Sequence, residues 1–314
     1  MQVHTSLPAS RILESCALTV GTFDGAHCGH QFLVENLKRH AARENLQSAV
    51  LTFQDMPYCF FRPDDCPRLL TLPEEKIAAF EKLGIDHLFI VPFDQTVAAQ
   101  GYDAFAREVL CEKLGMKLLV AGPDFALGKN RAGDIPALKT LGAQLGFEVR
   151  VLDAKLKFKN APISSTRVRN AIENGEVEDA ARMLGRAFEF TGEVVSGKKL
   201  GRTIGVPTIN LKTHARKVLP KNGVYAARAI FPDASTHAAA LSIGTNPTTD
   251  SDELVKIEFH VIEKTIEVAP KIARLEIVVR LRDEEKYDSL DALISQMRRD
   301  ISEAKKVLAG KVLA

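Results

Sequence analysis

The sequence predicts an α/β domain with a mainly parallel sheet, followed by an all-β domain and a closing helix. Three observations carry this. Short apolar runs alternate with longer amphipathic segments through the first part of the chain. After Gly185-Arg186 the text turns rich in Val, Ile, Thr and Gly, in short runs separated by turn residues. The chain has 314 residues, 46% of them hydrophobic, which is enough for two separate cores.

In the first part, Ala17–Val20, Ala49–Phe53, His87–Val91, Leu118–Ala121 and Glu148–Leu152 read as buried strands, because they are apolar without a polar face. Gln31–Arg43, Glu74–Leu83, Tyr102–Leu114 and Ile135–Leu145 carry apolar residues at helical spacing. Two more helices are expected at about Thr166–Asn174 and Val177–Leu184. The later strands are Phe188–Val195, Gly223–Phe231, Ala238–Ile243, Val255–Ile262 and Ala273–Leu281, suiting an antiparallel sheet or a small barrel. A helix over about Leu290–Leu308 ends the chain, and the domains divide as 1–186 and 187–314.

Forty-two basic residues balance 40 acidic ones, a net charge of +2 with no basic stripe, so nucleic acid is not an expected partner. No apolar run nears the roughly 18 residues that cross a bilayer. The opening MQVHTSLPASRILESC lacks the basic-then-apolar pattern of a secretory signal, so the expected location is cytoplasmic, away from membranes. Self-association is left open. Cys16, Cys28, Cys59, Cys66 and Cys111 are odd in number and form no CxxC pair, so reduced thiols are expected.

The sharpest chemical signal is LTVGTFDGAHCGHQFLVENL. A strand ends at Val20, a glycine turn follows, and a helix starts near Gly29. Gly21 and Gly25 allow backbone to approach a ligand closely. A helix N-terminus offers N–H groups and positive potential to an anion. His27 and His30 can both face that anion as donors. A lone HxxH would read as a helix start with surface histidines, and a zinc site through Cys28 lacks further ligands at suitable spacing. Within Gly-x-Phe-Asp-Gly-x-His-x-Gly-His, phosphate binding is the better reading.

This string resembles the HxGH motif of the nucleotidylyltransferase superfamily, and Phe23-Asp24-Gly25 before it resembles the FAD synthetase branch found in bacterial flavin enzymes. Gly122-Pro123-Asp124-Phe125-Ala126-Leu127-Gly128 is similar to that branch's G-x-[ND]-F-x-F-G loop. Ile163-Ser164-Ser165-Thr166-Arg167-Val168-Arg169 is similar to its ISSTxIR motif. Ser164, Ser165 or Thr166 can also cap a helix, and Arg167 and Arg169 bring charge suited to phosphates. The resemblance implies an ATP site of Gly21, Phe23, Asp24, Gly25, His27, Gly29, His30, Ser164, Ser165, Thr166 and Arg167. It implies that Asp124, Phe125 and Gly128 lie by flavin or nucleotide. One departure is Thr52-Phe53-Gln54-Asp55-Met56-Pro57, where the family has T-F-x-x-H-P.

In the second domain, Gly192-x-x-x-x-Gly197-Lys198-Lys199 lacks the final Ser/Thr of a P-loop and the helix that would follow, so a Walker-type site is rejected. Gly197, Gly201 and Gly205 still mark a loop closely approached by backbone or ligand. The strings Gly201-Arg202-x-x-Gly205-x-Pro207-Thr208-x-Asn210-Leu211, Leu219-Pro220-x-x-Gly223-Val224-Tyr225-Ala226 and Gly244-Thr245-x-Pro247-Thr248 resemble, in order, the flavokinase barrel of the same two-domain enzymes. By that resemblance Gly201 and Gly205 belong to the ATP loop, Thr208 and Asn210 hold Mg²⁺ and phosphates, and Glu258 in Lys256-Ile257-Glu258-Phe259-His260 is the catalytic base. Arg282, in a stretch similar to the family's ending, helps enclose flavin. The second departure is Glu263–Pro270, where the family's acidic glycine turn is missing.

Together the resemblance implies a Rossmann-like nucleotidylyltransferase domain with a parallel sheet, then a six-stranded antiparallel flavokinase-like β-barrel with a terminal helix. It implies an enzyme using ATP and Mg²⁺ to turn riboflavin into FMN and FMN into FAD. Its partners would be small molecules. A narrower reading keeps FAD synthesis alone, with the barrel a non-catalytic flavin-binding module.

Overall fold

The computed structural model describes residues 1–152, 156–196, 205–245, 255–264, 266 and 268–310. The chain forms two compact units, Met1–Ser165 and Thr166–Ala314.

The first unit is built on six strands, β1 (Gln2–His4), β2 (Cys16–Val20), β3 (Gln47–Phe53), β4 (His87–Val91), β5 (Met116–Ala121) and β6 (Glu148–Val151). They lie in the order β1-β4-β3-β2-β5-β6, every pair parallel. Every residue of β2 and β4 is buried, because helices cover both faces and no face is left for polar alternation. One apolar cluster, with Leu18, Leu51, Phe89 and Leu119, fills one side; another, with Ala17, Val50, Leu88 and Phe80, fills the other. From β2 the chain winds first toward β3 and β4, then back past β2 to β5. The switch point therefore lies at the C-terminal ends of β2 and β5, where open α/β sheets leave a crevice.

The helices of this unit are α1 (Cys28–Arg43), α2 (Pro57–Phe61), α3 (Pro73–Leu83), α4 (Gln95–Ala99), α5 (Tyr102–Ala104) and α6 (Ile135–Leu145). α5 runs on as a π-helical stretch, Phe105–Lys113, so the helix expected there forms with a wider turn. Sequence reading missed β1, whose QVH is too short and exposed to show a period, and the two-residue strands β7 (Lys157–Phe158) and β8 (Ala161–Pro162).

In the second unit, β9 (Phe188–Val195), β10 (Ile209–Thr213), β11 (Gly223–Ile230), β12 (Thr236–Thr245), β13 (Val255–Val261) and β14 (Ile272–Arg282) close an antiparallel barrel in the order β10-β13-β12-β11-β14-β9. Along β13, Ile257, Phe259 and Val261 are buried while Lys256, Glu258 and His260 are not, which is the period of two that puts one face on the core. The terminal helix, Leu290–Gly310, packs through Ile301, Ala304, Val307 and Leu308 onto Ala226, Ala238 and Val279 of the barrel.

Two helices precede the barrel, α7 (Ser165–Glu173) and α8 (Val177–Leu184), and the terminal helix is α9. The compact division falls at Ser165/Thr166, ahead of the compositional change at 186/187. Its reason is packing: α8 buries Val177, Ala180, Met183 and Leu184 and lies against β9 and β14.

The expectation of five reduced thiols is corrected at one pair. Cys59 and Cys66 are disulfide-bonded with their Cα atoms 4.7 Å apart, because α2 and the 3-10 turn after it fold the seven-residue separation back on itself. Cys16, Cys28 and Cys111 are outside any disulfide. Alkylation in denaturant should therefore mark three cysteines before reduction and five after, counted by intact mass; five without reductant would refute the bridge.

Candidate active sites

The end of β2 leads into a turn that only particular residues can make. Phe23 (φ 48°) and Ala26 (φ 42°) sit in the left-handed region that side chains disfavour, and Gly25 (φ 83°) takes the same region without cost. Tertiary contacts hold the two strained residues. Phe23 is buried edge-on against His30 and Phe80, with ring centres 5.1 and 5.6 Å away. Asp24 is 1% exposed, and its carboxylate accepts from the backbone N–H of Leu70 at 3.0 Å and of Thr71 at 3.0 Å. The Thr71 hydroxyl accepts from Gly25 N–H at 3.0 Å.

His27 caps α1: its Nδ1 accepts from the His30 N–H at 3.3 Å, which leaves the proton of a neutral ring on Nε2. The two imidazoles stack with centroids 3.6 Å apart and planes 16° from parallel. A Cβ at position 29 would stand 3.2 Å from the His27 ring, so Gly29 is what lets this ring lie over the helix start. His30 Nδ1 is buried with no hydrogen-bond partner among the described residues. A buried donor or acceptor without a partner is costly, and an incoming anion or its water would supply one. Burial first, then repulsion from His27 and Lys76, holds His30 well below the ordinary histidine value of 6.5.

Other predicted residues of this unit follow strands at the C-terminal sheet edge. Gly21 follows β2, and Asp124, Phe125 and Gly128 follow β5. In the β5 loop the Arg131 guanidinium donates to the Asp124 carbonyl at 2.7 Å, and Leu127 and Gly133 bridge it shut. The Ser165 hydroxyl donates to the Asp24 carbonyl at 2.8 Å, joining the serine motif to the glycine turn. Ser164 precedes α7, and Thr166 and Arg167, in its first turn, open the second compact unit. Arg169 is buried.

In the second unit, Asn210 of β10 and Ser242 of β12 both lie directly opposite Glu258 of β13. Thr208, two residues before Asn210, lines a cavity of about 290 Å³ with Glu258, His260 and Arg282. Thr208 also lines a second cavity of about 230 Å³, this time with Asn210, Pro207 and Lys264. His260 Nδ1–H donates to the Pro207 carbonyl at 2.8 Å and so fixes the turn that carries Thr208. Lys256 pairs with Glu258 at 2.8 Å. Gly205 (φ 78°) is in a left-handed turn, while Gly201 lies outside the described residues.

Residues 9–167 match the FAD synthetase family, and residues 184–308 match the riboflavin kinase family. The chain is 34% identical over 302 residues to a bifunctional riboflavin kinase/FMN adenylyltransferase of Haemophilus influenzae, covering 95% of this chain and 96% of that one. The chain belongs to that bifunctional family. Its Escherichia coli K12 and Pseudomonas fluorescens relatives of the same name are 33% and 31% identical, covering 91% and 98% of this chain and 91% and 96% of theirs. A solved structure from Streptococcus pneumoniae, named a macrolide-efflux protein, aligns with TM-score 0.86 and 28% identity over 97% of this chain and 98% of that one. Among the described residues no helix is long and apolar enough to cross a membrane.

With both domains present, the bifunctional reading stands and the FAD-synthesis-only alternative does not. The riboflavin kinase domain also holds a contact that sequence reading did not see. The Arg282 guanidinium donates twice to the Asp300 carboxylate, at 2.9 and 2.7 Å, and Asp300 is 5% exposed. This ties the end of β14 to α9, which walls the larger cavity through Leu293, Met297 and Ile301. In the FAD synthetase domain the missed feature is aromatic. Tyr58 and Phe60 are 44% and 40% exposed and Phe61 62%, and both phenylalanines meet Phe93 edge-on. The run Tyr58-Cys59-Phe60-Phe61 was the available signal, since exposed aromatics seldom cluster without a use.

Because the folded His30 resists protonation, unfolding takes up a proton below pH 6.5, and stability on this group's account is lost as pH falls from there. The melting temperature of the FAD synthetase domain should fall between pH 6.5 and 5, and less so in His30→Asn. Parallel curves for the two proteins would contradict this.

Proposed function

We infer that the two activities divide between the two halves at 186/187, with FMN adenylylated by the first and riboflavin phosphorylated by the second. The observation that carries the first assignment is the stacked His27–His30 pair at the start of α1, with an unpartnered buried nitrogen at a helix N-terminus. The phosphate of FMN is a nucleophile at neutral pH and needs no general base. The site must align it with the α-phosphorus of ATP and stabilise the departing pyrophosphate. His27, His30 and the N–H groups opening α1 supply donors. Gly21, Gly25 and Gly29 keep backbone close enough to use them. Phe23 and Asp24 hold the turn in shape, and Ser164, Ser165, Thr166 and Arg167 are assigned to the triphosphate from the motif alone.

The exposed patch of Tyr58, Phe60 and Phe61, backed by the half-buried Phe93 beside the ends of β3 and β4, fits a flat apolar ring such as isoalloxazine. Asp124, Phe125 and Gly128 close the opposite loop. Met56 lies buried at the start of α2, so at this position the chain offers the phosphates no polar group.

In the barrel, Glu258 accepts the proton of the riboflavin hydroxyl as that oxygen attacks the γ-phosphorus of ATP. Thr208 lines both cavities, which suits a residue where flavin hydroxyl and triphosphate meet. The hydroxyl of Thr208 and amide oxygen of Asn210 are neutral oxygen donors, apt for a Mg²⁺ that keeps several waters and binds chiefly through phosphate. Among the described residues no cluster of three His, Cys, Asp or Glu offers a metal cage, consistent with that mode. When bound, Mg²⁺ would neutralise charge on the transferring phosphates. Gly201 and Gly205 belong to the ATP loop, and Arg282 braces the flavin wall. We place the enzyme in the cytoplasm, from the lack of a secretory-signal pattern in its opening residues.

The test is a time course from riboflavin, ATP and Mg²⁺, resolving FMN and FAD. Glu258→Ala should slow FMN formation by about 10²–10⁴-fold and leave FAD formation from supplied FMN intact. His30→Ala should slow FAD formation by about 10²–10³-fold and leave FMN formation intact. Either change abolishing both activities in a folded protein would refute the division. Chelation of Mg²⁺ should stop both steps, and its return should restore them.

A further inference from the structure

Lys76 on α3 is 1% exposed, one of the largest fully buried side chains in the protein. Its ammonium donates to the Thr22 carbonyl at 3.0 Å and to the Phe53 carbonyl at 2.7 Å. Those carbonyls belong to the turn after β2 and to the last residue of β3, so one cation ties together two strand ends that frame the HxGH turn. Among the described residues no carboxylate lies within ion-pair distance of it. Asp24 and Asp55 attract it, and its charge adds to burial and to His27 in holding the His30 pKa low. Burying an ammonium without an ion pair is expensive. Two carbonyls satisfy its N–H groups but do not neutralise it, so the charge itself calls for a use.

We propose that Lys76 is a positioning residue for adenylyl transfer, its buried ammonium clamping Thr22 and Phe53 while placing a fixed positive charge behind the His27–His30 pair where the triphosphate arrives. This rests on the assignment of His27 and His30 to the triphosphate. The ammonium adds long-range attraction in a low-dielectric surrounding, where a charge acts more strongly than in water.

Charge and clamp can be separated. A neutral amine still has two N–H groups for its two carbonyls, so deprotonation removes the charge and spares the bonds. Burial lowers the ammonium's pKa to about 8, partly offset by Asp24 and Asp55. The titratable groups that interact with it are those two carboxylates and His30, with the Glu75 side chain bonded to the Leu72 N–H. Above pH 8 its charge should fade while the fold gains stability from the same proton loss, since the unfolded lysine stays charged to about 10.5.

The experiment uses the full-length protein and measures kcat and KM for ATP in FAD formation from FMN between pH 7 and 9.5. In the unaltered enzyme KM for ATP should rise about tenfold across that range. Lys76→Gln and Lys76→Met should start from a KM raised about tenfold or more and show no such rise, with riboflavin phosphorylation unchanged. A flat profile in the unaltered enzyme overturns the proposal even if neither variant folds. So does an unchanged rise in a folded Lys76→Gln protein, or wild-type KM in both folded variants. His30→Ala in the same assay separates the two levels: if it retains FAD formation, the site assignment itself fails. If it loses FAD formation while the lysine variants do not, only the role of Lys76 falls.

Discussion

Asp24 and Lys76 are both buried, and each spends its charge on backbone groups at the edge of the parallel sheet. The carboxylate collects N–H groups from the segment before α3, and the ammonium collects carbonyls from the ends of β2 and β3. A parallel sheet leaves such groups exposed at its C-terminal edge, where the ladder ends and loops depart. Using ions as the partners makes those bonds stronger than neutral ones and makes the edge rigid. The strained Phe23 and Ala26 can persist only above such an edge, and the His27–His30 stack depends on the turn they form.

The barrel solves a different problem by a different means. Strand alternation in β13 sends Ile257, Phe259 and Val261 into the core and so presents Lys256, Glu258 and His260 together on the other face. Antiparallel register then sets Asn210 and Ser242 on either side of Glu258 without a dedicated loop. The wall opposite is α9, whose position is fixed where it matters by the doubly bonded Arg282–Asp300 pair. Removing one partner of such a pair leaves a buried charge, at a cost of about 3–5 kcal/mol, so the helix and the strand end are held in one arrangement.

How much of this could be read from residues alone follows from how local each cause is. β4, α6, α8 and β9 begin and end where periodicity placed them, because burial on one or both faces dictates their composition. The HxGH turn was legible because glycines, a helix start and two histidines are contiguous. β1 was not, since three exposed residues carry no period and the strand exists only through pairing with β4. The Cys59–Cys66 bridge was hidden because odd, scattered cysteines argue against a disulfide framework, and only the fold of α2 brings these two together. Lys76 was invisible for a related reason. On α3 it falls in a Glu-Glu-Lys run that reads as a solvated face, and only the β2 and β3 ends show it to be buried.

The contrast between the sites follows from the acidity of their two nucleophiles. An FMN phosphate is already anionic, so its site has use for donors and positive charge but none for a base. Accordingly, the buried carboxylate there, Asp24, is committed to backbone N–H groups. A riboflavin hydroxyl must lose a proton as it attacks, and in the barrel a carboxylate lines the cavity itself. The same residue type thus serves as a brace in one half and lines a cavity in the other. What separates the two uses is whether backbone or cavity lies within reach of its oxygens.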